Sequence, residues 1–137
     1  MIEEAIYAEL VSCGSLVEYL STHNSRPAVF LEEAPEDAEL PYIINVITEL
    51  STENLSAKEF NVYVNYYDEK KSRVNCIAAC KEIEHLFEQA VLESNDYDSI
   101  RLTWESAGFV PSLDPRKVHR NIQFTARAGR KAWCEQL

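Results

Sequence analysis

Apolar and polar residues alternate with different periods along the chain, and each change of period marks a predicted element. Residues 2–12 carry apolar side chains at spacings of three and four, the period of an amphipathic helix with Ile6 and Leu10 toward the core. Gly14 is suited to end this helix, and Ser15 can cap a short second helical turn.

Two short apolar runs follow and predict strands. Residues 28–31 form the first run, after a loop at residues 23–27 where His23 is expected to be exposed. Residues 41–50 form the second run, which is rich in β-branched side chains and apolar on both faces. A strand that is covered on both faces has this pattern, so we expect a central strand with Ile44 in the core.

The clearest strand signal lies at residues 60–67, where Val62 and Val64 alternate with polar and aromatic side chains. The polar residues 51–58 before it indicate a connecting loop. Aromatic side chains on a strand can stack on nucleic-acid bases, but the RNA-binding signature and local cations are missing. A strand with one face in the core is therefore favoured.

A second long helix is predicted after this strand. Asp68 is a suitable N-cap, and apolar residues recur on one side of the helix up to about Ser94. Ile83 and Phe87 belong to that side and are predicted core residues.

The last third of the chain predicts two more strands. Residues 97–109 alternate with Leu102 on the apolar face, and residues 118–128 alternate with Ile122 and Phe124 on theirs.

The resulting order of elements is α-β-β-β-α-β-β. Strands joined by short loops favour antiparallel pairing, so we predict an α+β fold: a mostly antiparallel sheet of about five strands with helices packed on one side. The length of 137 residues suits one domain. We therefore treat residues 1–137 as a single domain, with residues 130–137 as a short C-terminal tail.

Charge is distributed unevenly along the chain, whose net charge is −10. Residues 1–100 carry 20 acidic and 6 basic side chains, a net charge of −14, whereas residues 101–137 carry 3 acidic and 7 basic ones, a net charge of +4. The acidic bulk argues against sequence-independent DNA binding, which depends on neutralising phosphates. The basic end can instead meet an anionic partner or an acidic neighbouring subunit.

The acidic loop, residues 32–39, concentrates five carboxylates: Glu32, Glu33, Glu36, Asp37 and Glu39. Carboxylate oxygens can bind a hard cation, but the spacing of a calcium-binding loop is absent. A solvated acidic loop is the favoured interpretation, and we expect no metal site.

Catalytic and cofactor-binding motifs are absent from the sequence. The three glycines lie too far apart for a dinucleotide or phosphate-binding loop, and the three histidines form no HExxH pair. We therefore expect a protein that is not an enzyme and has no catalytic residue and no cofactor.

The four cysteines are Cys13, Cys76, Cys80 and Cys134. The acidic N-terminal residues do not resemble a secretory signal, so we expect a reducing compartment and free thiols. The longest stretch without a formal charge spans nine residues, 40–48, well short of the roughly 20 of a membrane-spanning helix. A catalytic thiol stays open as an alternative, since pairing with a distant histidine in space is possible.

Three segments resemble a known family, the tail-completion or tail-terminator proteins of long-tailed bacteriophages and prophages. Residues 6–10 (IYAEL) resemble the opening helix of that family, and residues 34–43 (APEDAELPYI) resemble its segment between the first two strands. Residues 114–128 resemble its closing strand. The similarity covers most of the chain, but this chain has little glycine in its loops and an additional basic tail from Arg130.

The resemblance implies a structural function. Family members form rings, commonly hexameric, that cap the tail tube and join it to the head connector. It therefore implies a homo-oligomer with tail-tube and head-connector partners, located in the tail or neck of a virion and assembled in the bacterial cytoplasm. Membrane association and specific nucleic-acid binding are not expected, although DNA can pass through the ring.

Opposite charges suggest how copies would join in such a ring. We expect the acidic loop to face the basic segment of the next subunit, formed by Arg116, Lys117 and Arg120. Two alternatives remain: a related head-tail neck protein of the same fold, and a small nucleic-acid-binding adaptor that uses the basic C-terminal strand.

Overall fold

A computed structural model describes residues 2–50, 57–69, 71, 73–88, 90–94, 97–111 and 114–130. The described residues form three helices: Ile2–Ser12 (α1), Gly14–Val17 (α2) and Arg73–Glu88 (α3). They also form eight strands: Thr22–His23 (β1), Arg26–Pro27 (β2), Val29–Leu31 (β3), Tyr42–Glu49 (β4), Ala57–Glu69 (β5), Val91–Leu92 (β6), Tyr97–Val110 (β7) and Lys117–Arg130 (β8).

Six of the strands form one sheet in the order β3-β4-β5-β8-β7-β6, and β1 pairs with β2 in a separate ribbon. β3 is parallel to β4, and the other neighbours are antiparallel. The last strand, β8, lies in the middle of the sheet between β5 and β7. The predicted α+β class is confirmed, with a sixth strand, β6, that the sequence analysis did not anticipate.

The core lies between one face of the sheet and the helices, so alternate residues of each strand are buried. Val62 and Val64 of β5 lie beside Phe124 and Ile122 of β8 and are fully buried. α3 covers them, and the ring of Phe87 meets that of Phe124 edge to face at 5.4 Å. All but one of the predicted core positions are buried. The buried ones are Ile6, Leu10, Val62, Val64, Ile83, Phe87, Leu102, Ile122 and Phe124.

The exception is Ile44, and the prediction that β4 is covered on both faces is wrong. Helices cover only one face of the sheet, so neighbouring residues of β4 have opposite surroundings. Ile43 is fully buried, whereas Ile44 pairs with Asn65 on the other face and is half-buried.

The prediction that Asp68 caps the second long helix is also wrong. β5 continues to Glu69 because its partner β8 pairs with both residues, Asp68 with Val118 and Glu69 with Lys117. α3 begins later, at Arg73, and ends at Glu88 rather than near residue 94.

The loop predicted at residues 23–27 contains the β1–β2 hairpin instead. Asn24 and Ser25 connect its strands with positive φ angles of 50° and 65°, the conformation of a tight hairpin turn. His23 is half-buried rather than exposed, because its ring packs edge to face on Phe30 at 5.4 Å.

The prediction that Ser15 caps the short second helical turn is also wrong. α2 begins at Gly14 with Cys13 as its N-cap residue, and the Ser15 hydroxyl donates to Glu82 of α3 at 3.1 Å. The predicted loop 51–58 is wrong at its end, because residues 57 and 58 already belong to β5, and the predicted tail begins one residue too early, because Arg130 belongs to β8. Residues 51–56 and 131–137 lie outside the described residues.

Candidate assembly surfaces

The acidic loop connects β3 to β4 at the edge of the sheet, and its five carboxylate residues are exposed. Its second half is held by hydrogen bonds at both ends. His23 Nε2 lies 3.1 Å from Asp37 Oδ1, and the Ser21 hydroxyl lies within hydrogen-bonding distance of the carbonyl oxygens of Glu39 and Pro41, which share its single proton. The loop therefore presents its negative charge to water from an anchored backbone.

The basic segment is divided between two surfaces. Arg116 is exposed in the turn before β8, where its backbone N–H donates to Asp114 Oδ1 at 2.9 Å. Lys117 is half-buried at the start of β8.

Arg120 instead points to the helix-covered face, beside Tyr66 of the neighbouring strand. Its guanidinium lies 4.9 Å from the ring centre of Phe109, and its Nε is buried without a hydrogen-bond partner among the described residues. Of the three predicted interface cations, Arg116 is thus the one most available to another molecule.

The acidic loop and the basic segment lie at the same end of the sheet. A cleft of about 770 Å³ is bordered by Leu40, at the end of the acidic loop, and by Arg116 and Lys117. Their pairing across subunits stays a prediction.

A cluster of buried polar groups lies beneath the first half of α3. The Tyr66 hydroxyl donates to Asp68 Oδ2 at 3.2 Å, and the Glu69 N–H donates to Asp68 Oδ1 at 2.7 Å. Burial raises the pKa of the Asp68 carboxyl, and burial together with Asp68 raises the pKa of the Tyr66 hydroxyl. These hydrogen bonds satisfy polar groups inside the core.

The thiols are distributed between the core and its margin. Cys76 and Cys80 are buried on α3, Cys13 is half-buried, and all three are free. Hydrogen bonding to Cys76 and burial raise the pKa of the Cys80 thiol, which favours its protonated and unreactive form. Cys134 lies outside the described residues. Within the part of the chain that the structure describes, no group of three or more potential ligands is arranged to hold a metal ion.

The opposite face of the sheet, here called the open face, is a surface that the sequence analysis did not single out. Helices leave it uncovered, and most of its central side chains are half-buried. The twelve central positions carry no carboxylate, lysine or arginine: Tyr42, Ile44, Val46, Thr48, Asn61, Tyr63, Asn65, Tyr67, His119, Asn121, Gln123 and Thr125. The polar residues that alternate with the core residues in the predicted strands were the signal that could have identified the open face.

Hydrogen bonds and ring contacts order this face. Asn65 Oδ1 lies 2.8 Å from Asn121 Nδ2 and 2.7 Å from His119 Nε2, and Asn65 Nδ2 donates to the Ile44 carbonyl. His119 Nε2 is therefore the protonated nitrogen of the neutral ring. The His119 ring stacks on Tyr67 at 4.2 Å, and burial lowers the pKa of His119.

No described helix has both the length and the apolar character needed to span a membrane.

Solved structures share this fold, and two of them cover nearly the whole chain. A protein from the virion of a native gene transfer agent particle gives a TM-score of 0.74 at 15% sequence identity, covering 93% of this chain and 94% of that chain. A second solved protein, whose name describes no function, gives a TM-score of 0.64 at 14% identity, covering 96% and 95%. No protein-family model and no curated protein sequence matches the chain. At these identities the likeness establishes a shared fold.

Proposed function

We propose that this chain is a structural protein of a phage-type particle, and specifically a tail terminator that caps the tail tube and joins it to the head connector. The observation that carries this proposal is the fold shared over 93% of the chain with a protein of a gene transfer agent virion. The segments at residues 6–10, 34–43 and 114–128, which resemble tail-terminator proteins, support the same function.

In this function the chain forms a ring, which we expect to be a hexamer. A head-to-tail contact uses two different patches of each subunit, so it closes into a ring when the rotation between copies allows it. Because the copies carry a net charge of −10 each, they repel one another unless the joint brings opposite charges together. Arg116, the exposed cation of the basic segment, supplies the positive side of that joint, and the acidic loop is one candidate for the negative side.

Catalysis has no part in this proposal. A cap needs a defined shape, a surface for the tube and a surface for the connector. The open face offers an uncharged, ordered surface of the kind that forms the centre of protein interfaces, where charged residues are depleted and tyrosine is enriched. An acidic inner wall would let DNA pass without adhering, because like charges repel.

The proposal is tested by the oligomeric state of the full chain. Light scattering gives the mass in solution, and negative-stain images show the shape of the particle. We expect rings of about six copies at high protein concentration or on the ends of tail tubes. Rings that bind the head connector but leave tube growth unchanged would identify a neck protein instead, and a monomer that binds neither partner would contradict both.

A further inference from the structure

A groove of about 540 Å³, here called the Trp104 groove, opens where α3 crosses β7 and β8. Its floor is apolar and is formed by Leu102 and Phe124, both of which are buried. Its walls are Trp104 and Thr103 on the strand side and two carboxylate residues, Glu84 and Glu88, on the helix side. An aromatic ring, an apolar floor and two carboxylates therefore share one concave surface.

The groove presents an exposed indole and negative charge that is not neutralised. Trp104 is 53% exposed, and its indole N–H donates to Glu84 Oε1 at 2.7 Å. Among the described residues, no lysine, arginine or histidine forms an ion pair with Glu84 or Glu88. A guanidinium suits such a surface because it can stack on an aromatic ring while donating to carboxylates.

The groove lies along a free edge of the sheet. β6 pairs with only Ile100 and Arg101 of β7, and no described strand pairs with the outer edge beyond them. The pairing of β7 with β8 shifts register between Trp104 and Ser106. Such a bulge bends the strand and so also disturbs the regular spacing of backbone groups along its outer edge. The edge is thus better suited to receive a side chain than to add a continuous strand.

We propose that the Trp104 groove seats Arg116 of a second copy of this chain. This inference rests on the proposed ring and names the two surfaces that join its subunits. Arg116 stands in the turn between β7 and β8. Its Nε lies 3.4 Å from Asp114 Oδ1, but its side chain is 89% exposed, so the guanidinium remains accessible to a second copy. It belongs to the part of the chain with a net charge of +4, so the contact brings the basic end of one copy to the acidic bulk of the next.

The acidic loop is a weaker seat for the same cation. Its carboxylates are exposed, and fully exposed ion pairs contribute only about 0–1 kcal/mol. In the Trp104 groove, Glu84 is half-buried, and the indole and the apolar floor offer contact area of their own beside the carboxylates. We therefore expect Arg116 to bind more tightly in the Trp104 groove than on the acidic loop.

A photo-crosslink in the full chain tests the contact directly. Benzoylphenylalanine replaces Pro115, the exposed residue before Arg116, so that the guanidinium is kept. The protein is irradiated as the assembled ring, and crosslinked peptides are mapped by mass spectrometry. We expect crosslinks between subunits to the peptide containing Trp104 or to that containing Glu84 and Glu88. Crosslinks confined to residues 32–39 would overturn the groove and favour the acidic loop.

Paired variants measure how much each carboxylate surface contributes. Glu84→Gln with Glu88→Gln keeps the acceptor for the Trp104 indole while removing two charges, and Glu33→Gln with Glu36→Gln removes two charges from the acidic loop as the matched control. We expect self-association at low salt to weaken by about tenfold in the groove variant, which corresponds to about 1.4 kcal/mol, and to change less than about twofold in the control. The reverse pattern would overturn the proposal.

A charge exchange separates this inference from the proposed function. Arg116→Glu should weaken assembly, and adding Glu84→Lys and Glu88→Lys should restore part of it. If the wild-type chain forms rings and all of these variants assemble equally well, the groove proposal is wrong and the tail-terminator proposal stands. A wild-type chain that stays monomeric at every concentration and on tail tubes would overturn both.

Discussion

The two faces of the sheet are built from the same strands but differ in what they carry. The covered face is mainly aliphatic and aromatic, and its buried polar groups among the described residues include Asp68, Asn45, the Tyr66 hydroxyl and Arg120 Nε. The open face carries amides, hydroxyls and tyrosines without formal charge along its centre. The comparison indicates that the covered face provides the stability of the fold, whereas the open face and the β7 edge are available for assembly.

The largest difference between the faces should appear on truncating an aromatic ring from each. Phe87→Ala removes a fully buried ring that contacts Phe124, so we expect a loss of about 3–5 kcal/mol in unfolding free energy by urea denaturation. Tyr63→Ala on the open face should cost below about 1 kcal/mol, since the ring is half-exposed. Equal losses of unfolding free energy in the two variants would contradict the inference that the covered face provides the stability of the fold.

A smaller effect concerns pH dependence on the covered face. Burial raises the pKa of Asp68 above its ordinary value of 3.8, so the folded chain holds this proton more tightly than the unfolded chain. Its contribution to stability is therefore greatest at low pH and declines as the pH rises through the raised value.

Asp68→Asn removes this titration. Relative to the wild type, the variant should become progressively more stable between pH 4 and pH 7, measured as the difference in urea midpoint at matched pH values. A difference that does not vary with pH would show that Asp68 titrates alike in the folded and unfolded chain.

His119 on the open face should show the opposite sign. Burial lowers its pKa below the ordinary 6.5, so the neutral ring is favoured in the folded chain. The stability from this group is present above pH 6.5 and declines as the pH falls through the lowered value.

The His119→Gln variant lacks this titration. On acidification from pH 7 to pH 5, the wild type should therefore lose free energy of unfolding relative to the variant. An NMR titration of the His119 ring measures its pKa independently of stability. A ring that titrates above 6.5 would contradict the assignment.

The smallest expected effect concerns metal at the cysteines. Cys76 and Cys80 are a buried pair without further potential ligands in the described part of the chain, so we expect zinc or a chelator to leave the melting temperature unchanged. Native mass spectrometry that finds one zinc ion per chain would contradict this expectation.

Much of the covered face could be predicted from the sequence because only one side of the sheet is buried, which gives the strands a period of two. Phe124 and Val64 follow from that period alone. Ile43 and Ile44 could not be distinguished, since both lie in an apolar run and the choice depends on which face the helices cover. Asp68 resembled a cap because its pairing with β8 joins residues 50 positions apart in the sequence.

The assembly surfaces were less accessible to sequence analysis. Arg120 shares the parity of Ile122 and Phe124 in the last strand, and that parity could have placed it on the covered face. The Trp104 groove depends on how α3 lies across β7 and on the register shift beside Trp104, neither of which local pattern reveals. The charge split was visible in the sequence, but the position of Glu84 and Glu88 beside Trp104 was not.

The most direct test of the tail-terminator function is the growth of tail tubes in the presence of this chain. The tube protein encoded with it is polymerised with and without the full chain, and electron microscopy gives the tube lengths and the density at the tube ends. We predict shorter tubes that carry a ring at one end. An unchanged length distribution, with no density added to either end, would contradict the proposed function.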